Sequence, residues 1–149
     1  ALSTSSSTYS DGTYSAQGVE WSFVHAMNAT AVTDADYTID GAGVLLRRAN
    51  TPGSSLTGVF ANGLSAFSFE YRKAFTGGTP RAYKVDVTAN GQTVTYDIPA
   101  FGEGSGVQAT VYTFTYSGPA LTGSVTVKIY ATGADGNQQM VIDNFTWSV

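Results

Sequence analysis

The chain has 149 residues, no cysteine, a net charge of −4 and only 12% charged side chains, roughly half the usual share. Its length suits a single domain, 1–149, with one core, and without cysteine neither a disulfide framework nor a thiolate zinc site is available. The acidic balance argues against sequence-independent nucleic-acid binding, which rests on many Lys and Arg contacts to phosphate, and no run approaches the ~18 apolar residues of a membrane helix.

The chain opens at Ala1 and continues with Ser and Thr over 3–8. That opening reads as the trimmed end of an export signal or a cut from a larger protein, so 1–8 is expected to be a linker or an edge strand. Beyond it, apolar and polar residues alternate with period two, punctuated by Gly, Asn, Asp and Pro, and no amphipathic helix emerges. Strands are expected over 18–27, 43–48, 55–60, 64–75, 81–89, 92–98, 109–117, 122–131 and 139–148. Together they predict an all-β protein, an antiparallel two-sheet β-sandwich. Asn90-Gly91 is the strongest hairpin signal, because a type I′ turn needs positive φ at both central residues. The connections 28–42 and 99–108 are longer than a scaffold needs and are candidate functional loops.

Six of the seven cationic side chains, Arg47, Arg48, Arg72, Lys73, Arg81 and Lys84, lie close together in sequence, interleaved with Phe67, Phe69, Tyr71, Phe75 and Tyr83. Alternation sends those aromatics inward and turns Glu70, Arg72, Lys84 and Asp86 outward. If the two strands share a sheet, these four line one polar face. Such a face has two readings: a ladder of cross-strand ion pairs, or a surface that grips a polymer through Arg and carboxylate hydrogen bonds. One of Arg47 and Arg48 must face away from the core, and the other needs partners such as Asp36, Asp40 or Glu70 if buried. Arg81 follows Gly77-Gly78-Thr79-Pro80 and is expected at an accessible loop end.

Four stretches carry a resemblance: Gly12-Thr13-Tyr14 with Gly18-Val19-Glu20-Trp21; Ile39-Asp40-Gly41 running to Arg47-Arg48; Phe67 to Gly77; and Val141-Ile142-Asp143-Asn144-Phe145-Thr146-Trp147. Through them the chain resembles secreted bacterial jelly-roll modules, related to galactose-binding-like carbohydrate-binding modules and to accessory domains of extracellular hydrolases and nucleases. The resemblance implies a jelly roll, and a calcium ion held between an acid near the first strand and the Asp of the closing one, here Asp11 and Asp143. Two carboxylates with backbone carbonyls and water suit calcium; the alternative is that Asp143 caps a turn or pairs with Arg and Asp11 starts an Asp-Gly turn. The run Asp34 to Asp40 lacks the loop glycine and closing Glu of a calcium-binding loop.

Catalytic groups are few. The single histidine, His25, shares a face with Trp21 and Phe23, and no Gly-x-Ser-x-Gly motif accompanies it. Glu20, Glu70 and Glu103 are the carboxylates a glycosidase would use. The reading that combines these points is a non-catalytic carbohydrate-binding module, monomeric, secreted, and targeting an attached enzyme to a polysaccharide, anionic ones included. Expected ligand contacts are Tyr37, Arg47 or Arg48, Arg72, Lys73 and Arg81, while Trp21 and Trp147 are assigned to the core ahead of a platform role. The alternatives are a structural or protein-interaction domain of a surface protein, an accessory domain of an extracellular nuclease, and a small hydrolase or lyase.

Overall fold

The period-two pattern folds as strands throughout the computed structural model, which describes residues 2–48, 53–132 and 137–149; of the expected leader, Ala1 lies outside them. The strands are β1 (Ser10–Ala16), β2 (Val19–Asn28), β3 (Val44–Leu46), β4 (Ser55–Phe60), β5 (Ala66–Lys73), β6 (Arg81–Ala89), β7 (Gln92–Phe101), β8 (Tyr112–Thr115), β9 (Val125–Ala131) and β10 (Met140–Ser148). Each ladder is antiparallel. The order β7-β6-β9-β4-β2-β3-β10-β5-β8, with β1 on β2, curls into a nearly closed jelly-roll sandwich.

β1 is a strand the alternation did not announce. Its residues are only half buried, and it exists by pairing with β2 from Ser10↔Ala26 to Ala16↔Val19. β2 in turn links the two layers. Glu20 to Val24 pair with β4, and Ala26 to Asn28 pair with β3 along the same edge. Between those ladders His25 takes φ 49°, a conformation that costs an ordinary residue energy and persists only where its surroundings enforce it. They do so here: the His25 N–H donates to Asp11 Oδ1 at 3.0 Å, and the His25 carbonyl accepts from Arg47 N–H at 3.0 Å.

The core between the layers is aromatic. Trp21 packs edge-on against Phe145 with centroids 5.1 Å apart, and Phe67 and Phe69 stack on the same ring at 5.5 and 5.9 Å. A second, smaller cluster forms outside β3, β10 and β5, where the 29–42 segment lays Tyr37 and Ile39 over Leu45, Val141 and Met27. Phe75 joins this cluster rather than the main core, because β5 ends at Lys73.

Burial leaves several phenols costly to ionise. It pushes Tyr9 and Tyr14 up to about 12, against some lowering by Arg47 and Arg48 at Tyr9, and pushes Tyr83 higher still. An unfolded chain ionises these groups near their ordinary value of 10.0, so it binds fewer protons than the folded chain above that pH. Stability in urea titrations is therefore expected to be level up to about pH 10 and to fall between about 10 and 12; a flat profile through pH 12 would show these hydroxyls to be solvated.

Candidate functional site

The structure moves the expected cationic contacts inside. Arg81 is fully buried, with 0% exposure. Its Nε donates to Gln139 O at 3.1 Å, Nη1 to Gly77, Thr79 and Gly102 carbonyls at 2.7, 2.9 and 3.3 Å, and Nη2 to Ala74 O at 2.6 Å. Lys73 is 1% exposed and donates to Gly104 O at 2.6 Å. Burial first, and the neighbouring Arg81 charge second, lower the Lys73 ammonium from its ordinary range. These two cations fasten loops and present no surface to a ligand, which corrects both expectations.

Arg72 does lie on the outer face of its sheet, but the 36–38 backbone covers it: Nη1 donates to Thr38 O at 2.9 Å and Nη2 to Asp36 O at 3.2 Å. Tyr37 is buried, tilted against Phe75 with centroids 4.9 Å apart, so the 28–42 loop caps the sheet with its ring instead of offering it. Arg47 is half-buried, its guanidinium 5.5 Å from the Tyr9 ring centroid, and Arg48 alone of the six expected contacts is exposed. Nor do the charged strands share one polar face. β5 lies between β10 and β8, whereas β6 lies between β7 and β9; on the latter sheet Lys84 pairs with Asp97 at 3.2 Å, and Asp86 accepts from Thr95 Oγ1 and Tyr130 Oη.

The two expected metal carboxylates have different surroundings. Asp11 is exposed and holds the His25 bulge. Asp143 is fully buried; Oδ1 accepts the Leu2 N–H at 2.6 Å, and Oδ2 accepts nothing. The buried Tyr14 hydroxyl lies near enough for the Asp143 charge to reinforce the rise in its pKa that burial causes, against some lowering by the Ser3 backbone. Among the described residues no three Asp, Glu, His or Cys side chains converge on one point. Glu20, Glu70 and Glu103 sit on β2, on β5 and in the segment after β7, with Glu20 accepting from Ser15.

Concave surface with partly exposed aromatic rings, Tyr96 and Trp147, lies at the opposite end from the buried cations, where the turns 17–18, 61–65, 90–91 and 116–124 gather. β7 and β8 are the outer strands of the order and do not pair. They meet through rings instead, Phe101 on Tyr112 at 5.3 Å and Tyr96 edge-on to Phe114 at 6.3 Å. At the turn end this seam opens into a cleft of about 210 Å³. Val87, Ala89 and Leu121 form its apolar floor, Tyr96 and Tyr116 one wall, and the exposed amides of Asn90 and Gln92 its rim. Tyr116 is fixed by donating to Pro119 O at 2.8 Å and by the Tyr96 ring edge-on at 5.7 Å.

Gly118 permits that arrangement. A Cβ there would meet the Tyr116 hydroxyl and come within 2.6 Å of Tyr96 Oη. Gly118→Ala is expected to push both rings into the cleft and to lower stability by about 1–3 kcal/mol; unchanged denaturation would mean that the 117–120 loop yields instead.

Beside the cleft, Trp147 is half-buried and lines three shallow hollows. Gln17, Asn62 and Gly63 lie on one side of it, and Ser68, Thr115, Thr146 and Ser148 on the other. Its ring rests edge-on against Phe60 with centroids 5.6 Å apart, whereas Trp21 is wholly internal. Sequence reasoning missed Asn90, Gln92, Tyr96 and Tyr116. The Asn90-Gly91 turn was the available signal for the first two, since it fixes where the hairpin tip projects.

No protein-family model and no curated protein matches the chain. Solved structures do resemble it. TmCBM61 in complex with beta-1,4-galactotriose is 10% identical at a TM-score of 0.53, over 89% of this chain and 88% of that one. A native family 35 carbohydrate binding module from Clostridium thermocellum is 18% identical at a TM-score of 0.48, over 89% and 97% of the two chains. A family two carbohydrate esterase from Clostridium thermocellum in complex with cellohexaose is 17% identical at 0.43, over 71% of this chain and 27% of that one. This chain therefore spans well under two thirds of the esterase. At such identity the likeness to TmCBM61 bears on the fold alone, a jelly-roll β-sandwich.

Proposed function

We propose that this protein is a non-catalytic carbohydrate-binding module and that the Tyr96–Tyr116 cleft takes a sugar ring. The observation that carries the reading is the cleft itself: an apolar floor with an aromatic wall, rimmed by two amides and lined by no charged side chain. Largely apolar concavities with a few placed polar groups are where small ligands bind. A pyranose presents C–H groups on its faces and hydroxyls around its rim; the ring packs on Tyr96, and each amide both donates to and accepts from hydroxyls. The β-1,4-galactotriose bound by TmCBM61 makes β-galactan the first probe. At a few tenths of a kcal/mol per heavy atom, one ring of about 12 atoms binds with a Kd of about 1 mM. Weak retention of this kind suits a secreted module that holds an attached enzyme near its polymer.

Affinity electrophoresis against galactan, β-glucan, xylan, mannan and polygalacturonate tests the reading. Retardation by a neutral polymer is expected; indifference to all five would overturn it and favour a protein-interaction role.

Asp143 is where we would place a calcium ion, because its Oδ2 is a buried carboxylate oxygen without a donor, and such an oxygen suits a hard cation. A chelator is then expected to lower the melting temperature, with recovery on adding calcium. An identical transition with and without chelator would remove the metal and leave Leu2 N–H as the group that holds Asp143.

A further inference from the structure

The Trp147 surface is unused by a ligand one ring long, and its position relative to the cleft suggests why it is there. Both open at the same end of the sandwich, and the wall between them is thin. Leu64 N–H donates to Leu121 O at 2.9 Å, and a Cβ on Gly63 would come within 2.7 Å of that same carbonyl. Gly63 lines the Trp147 hollow while Leu121 lines the cleft. One turn thus separates the two concavities.

Their chemistry also matches. No charged side chain lines the cleft or any of the three hollows at Trp147, although the chain carries 7 Lys and Arg and 11 Asp and Glu. Gln17 and Asn62 repeat around Trp147 what Asn90 and Gln92 supply at the cleft. On the far side, Ser68 Oγ and Thr146 Oγ1 lie 3.0 Å apart, and Thr115 is the cross-strand neighbour of Ser68. Hydroxyls and amides both donate and accept, which suits sugar hydroxyls, whereas a uronate or sulfate calls for guanidinium groups, and no arginine lines the cleft or these hollows.

We propose, resting on the carbohydrate reading above, that the ligand is an uncharged, extended glycan of which one ring enters the cleft and the following rings cross the 62–64 turn onto Trp147. Affinity then grows with chain length, since each further ring adds contact without a new association step. At about 210 Å³, below the usual range of about 300–1,000 Å³ for ligand pockets, the cleft takes only a short part of the chain.

Isothermal titration of the intact protein with galactose, cello and xylo oligomers of one to six rings, alongside oligogalacturonates, decides the matter. In the neutral series that binds, affinity is expected to rise at least tenfold between one and three rings. Trp147→Ala should abolish the rise and leave single-ring binding unchanged. Because Trp147 also rests on Phe60, Asn62→Ala, on an exposed turn, provides a second variant expected to lose about threefold for the longer chains only. Equal affinity for one ring and six, or preference for the charged series, overturns the inference while leaving sugar binding intact. Absence of binding by every oligomer overturns both readings together.

Discussion

Arg81→Met is expected to cost about 3–5 kcal/mol of stability and to lower the melting temperature by about 10 °C. Methionine preserves most of the buried apolar volume, so the loss isolates the guanidinium. Five hydrogen bonds end on five backbone carbonyls, of Ala74, Gly77, Thr79, Gly102 and Gln139, drawn from three separate segments. Each carbonyl left buried without a donor costs about 1–3 kcal/mol. Some of these loop carbonyls can turn to water, which keeps the total below the sum. Burial draws the Arg81 pKa down, yet arginine remains a cation in proteins. Arg81→Lys should recover less than half of the loss, because an ammonium offers three donors from one point and cannot span the planar fork. Urea unfolding measures the effect, and a loss under about 1 kcal/mol would mean that the three segments hold their positions without Arg81. Glycan retention by the folded variant should be unchanged, since the cleft lies at the other end.

Tyr96→Ala should have the opposite profile, with weakened binding and modest loss of stability. Tyr96 is half exposed on an outer strand, touching Phe114 and Tyr116 edge-on, so its removal exposes ring edges without opening the central core. Truncating an aromatic anchor in a binding site costs about 2 kcal/mol, roughly 30-fold in Kd. Titration with the polymer retained in electrophoresis reads this directly. Tyr96→Phe separates stacking from hydroxyl contributions: near-normal affinity is expected if the ring face is what the sugar meets. Wild-type affinity in Tyr96→Ala would remove the cleft from consideration as the site.

The fold was largely legible in the sequence, and the site was not. Alternation placed Phe67, Phe69, Tyr71, Tyr83, Val85 and Val87 in the core, and Asn90-Gly91 made the β6–β7 hairpin. The same alternation, carried one step further, assigns Lys73 to the face of Phe67, Phe69 and Tyr71, and Arg81 to that of Tyr83 and Val85. Charge argued for the surface and parity for the interior, and parity prevailed because loop carbonyls at that end supply acceptors for every donated bond. β1 was hidden for the complementary reason: Ser10-Asp-Gly-Thr-Tyr-Ser-Ala buries little, and its strand conformation comes from β2.

By itself the sequence determined that this is an all-β chain with an aromatic core, a fixed hairpin and no covalent staple. These follow from spacing, turn chemistry and composition, which act over a few residues at a time. Only the tertiary structure decided which polar groups meet water. Arg72 lies on an outward face and is covered by a segment 34 residues earlier, while Tyr96 and Tyr116 form a cleft because two strands distant in the order face each other without pairing. Long-range closure of the sheet sets those relations, and no local pattern records it.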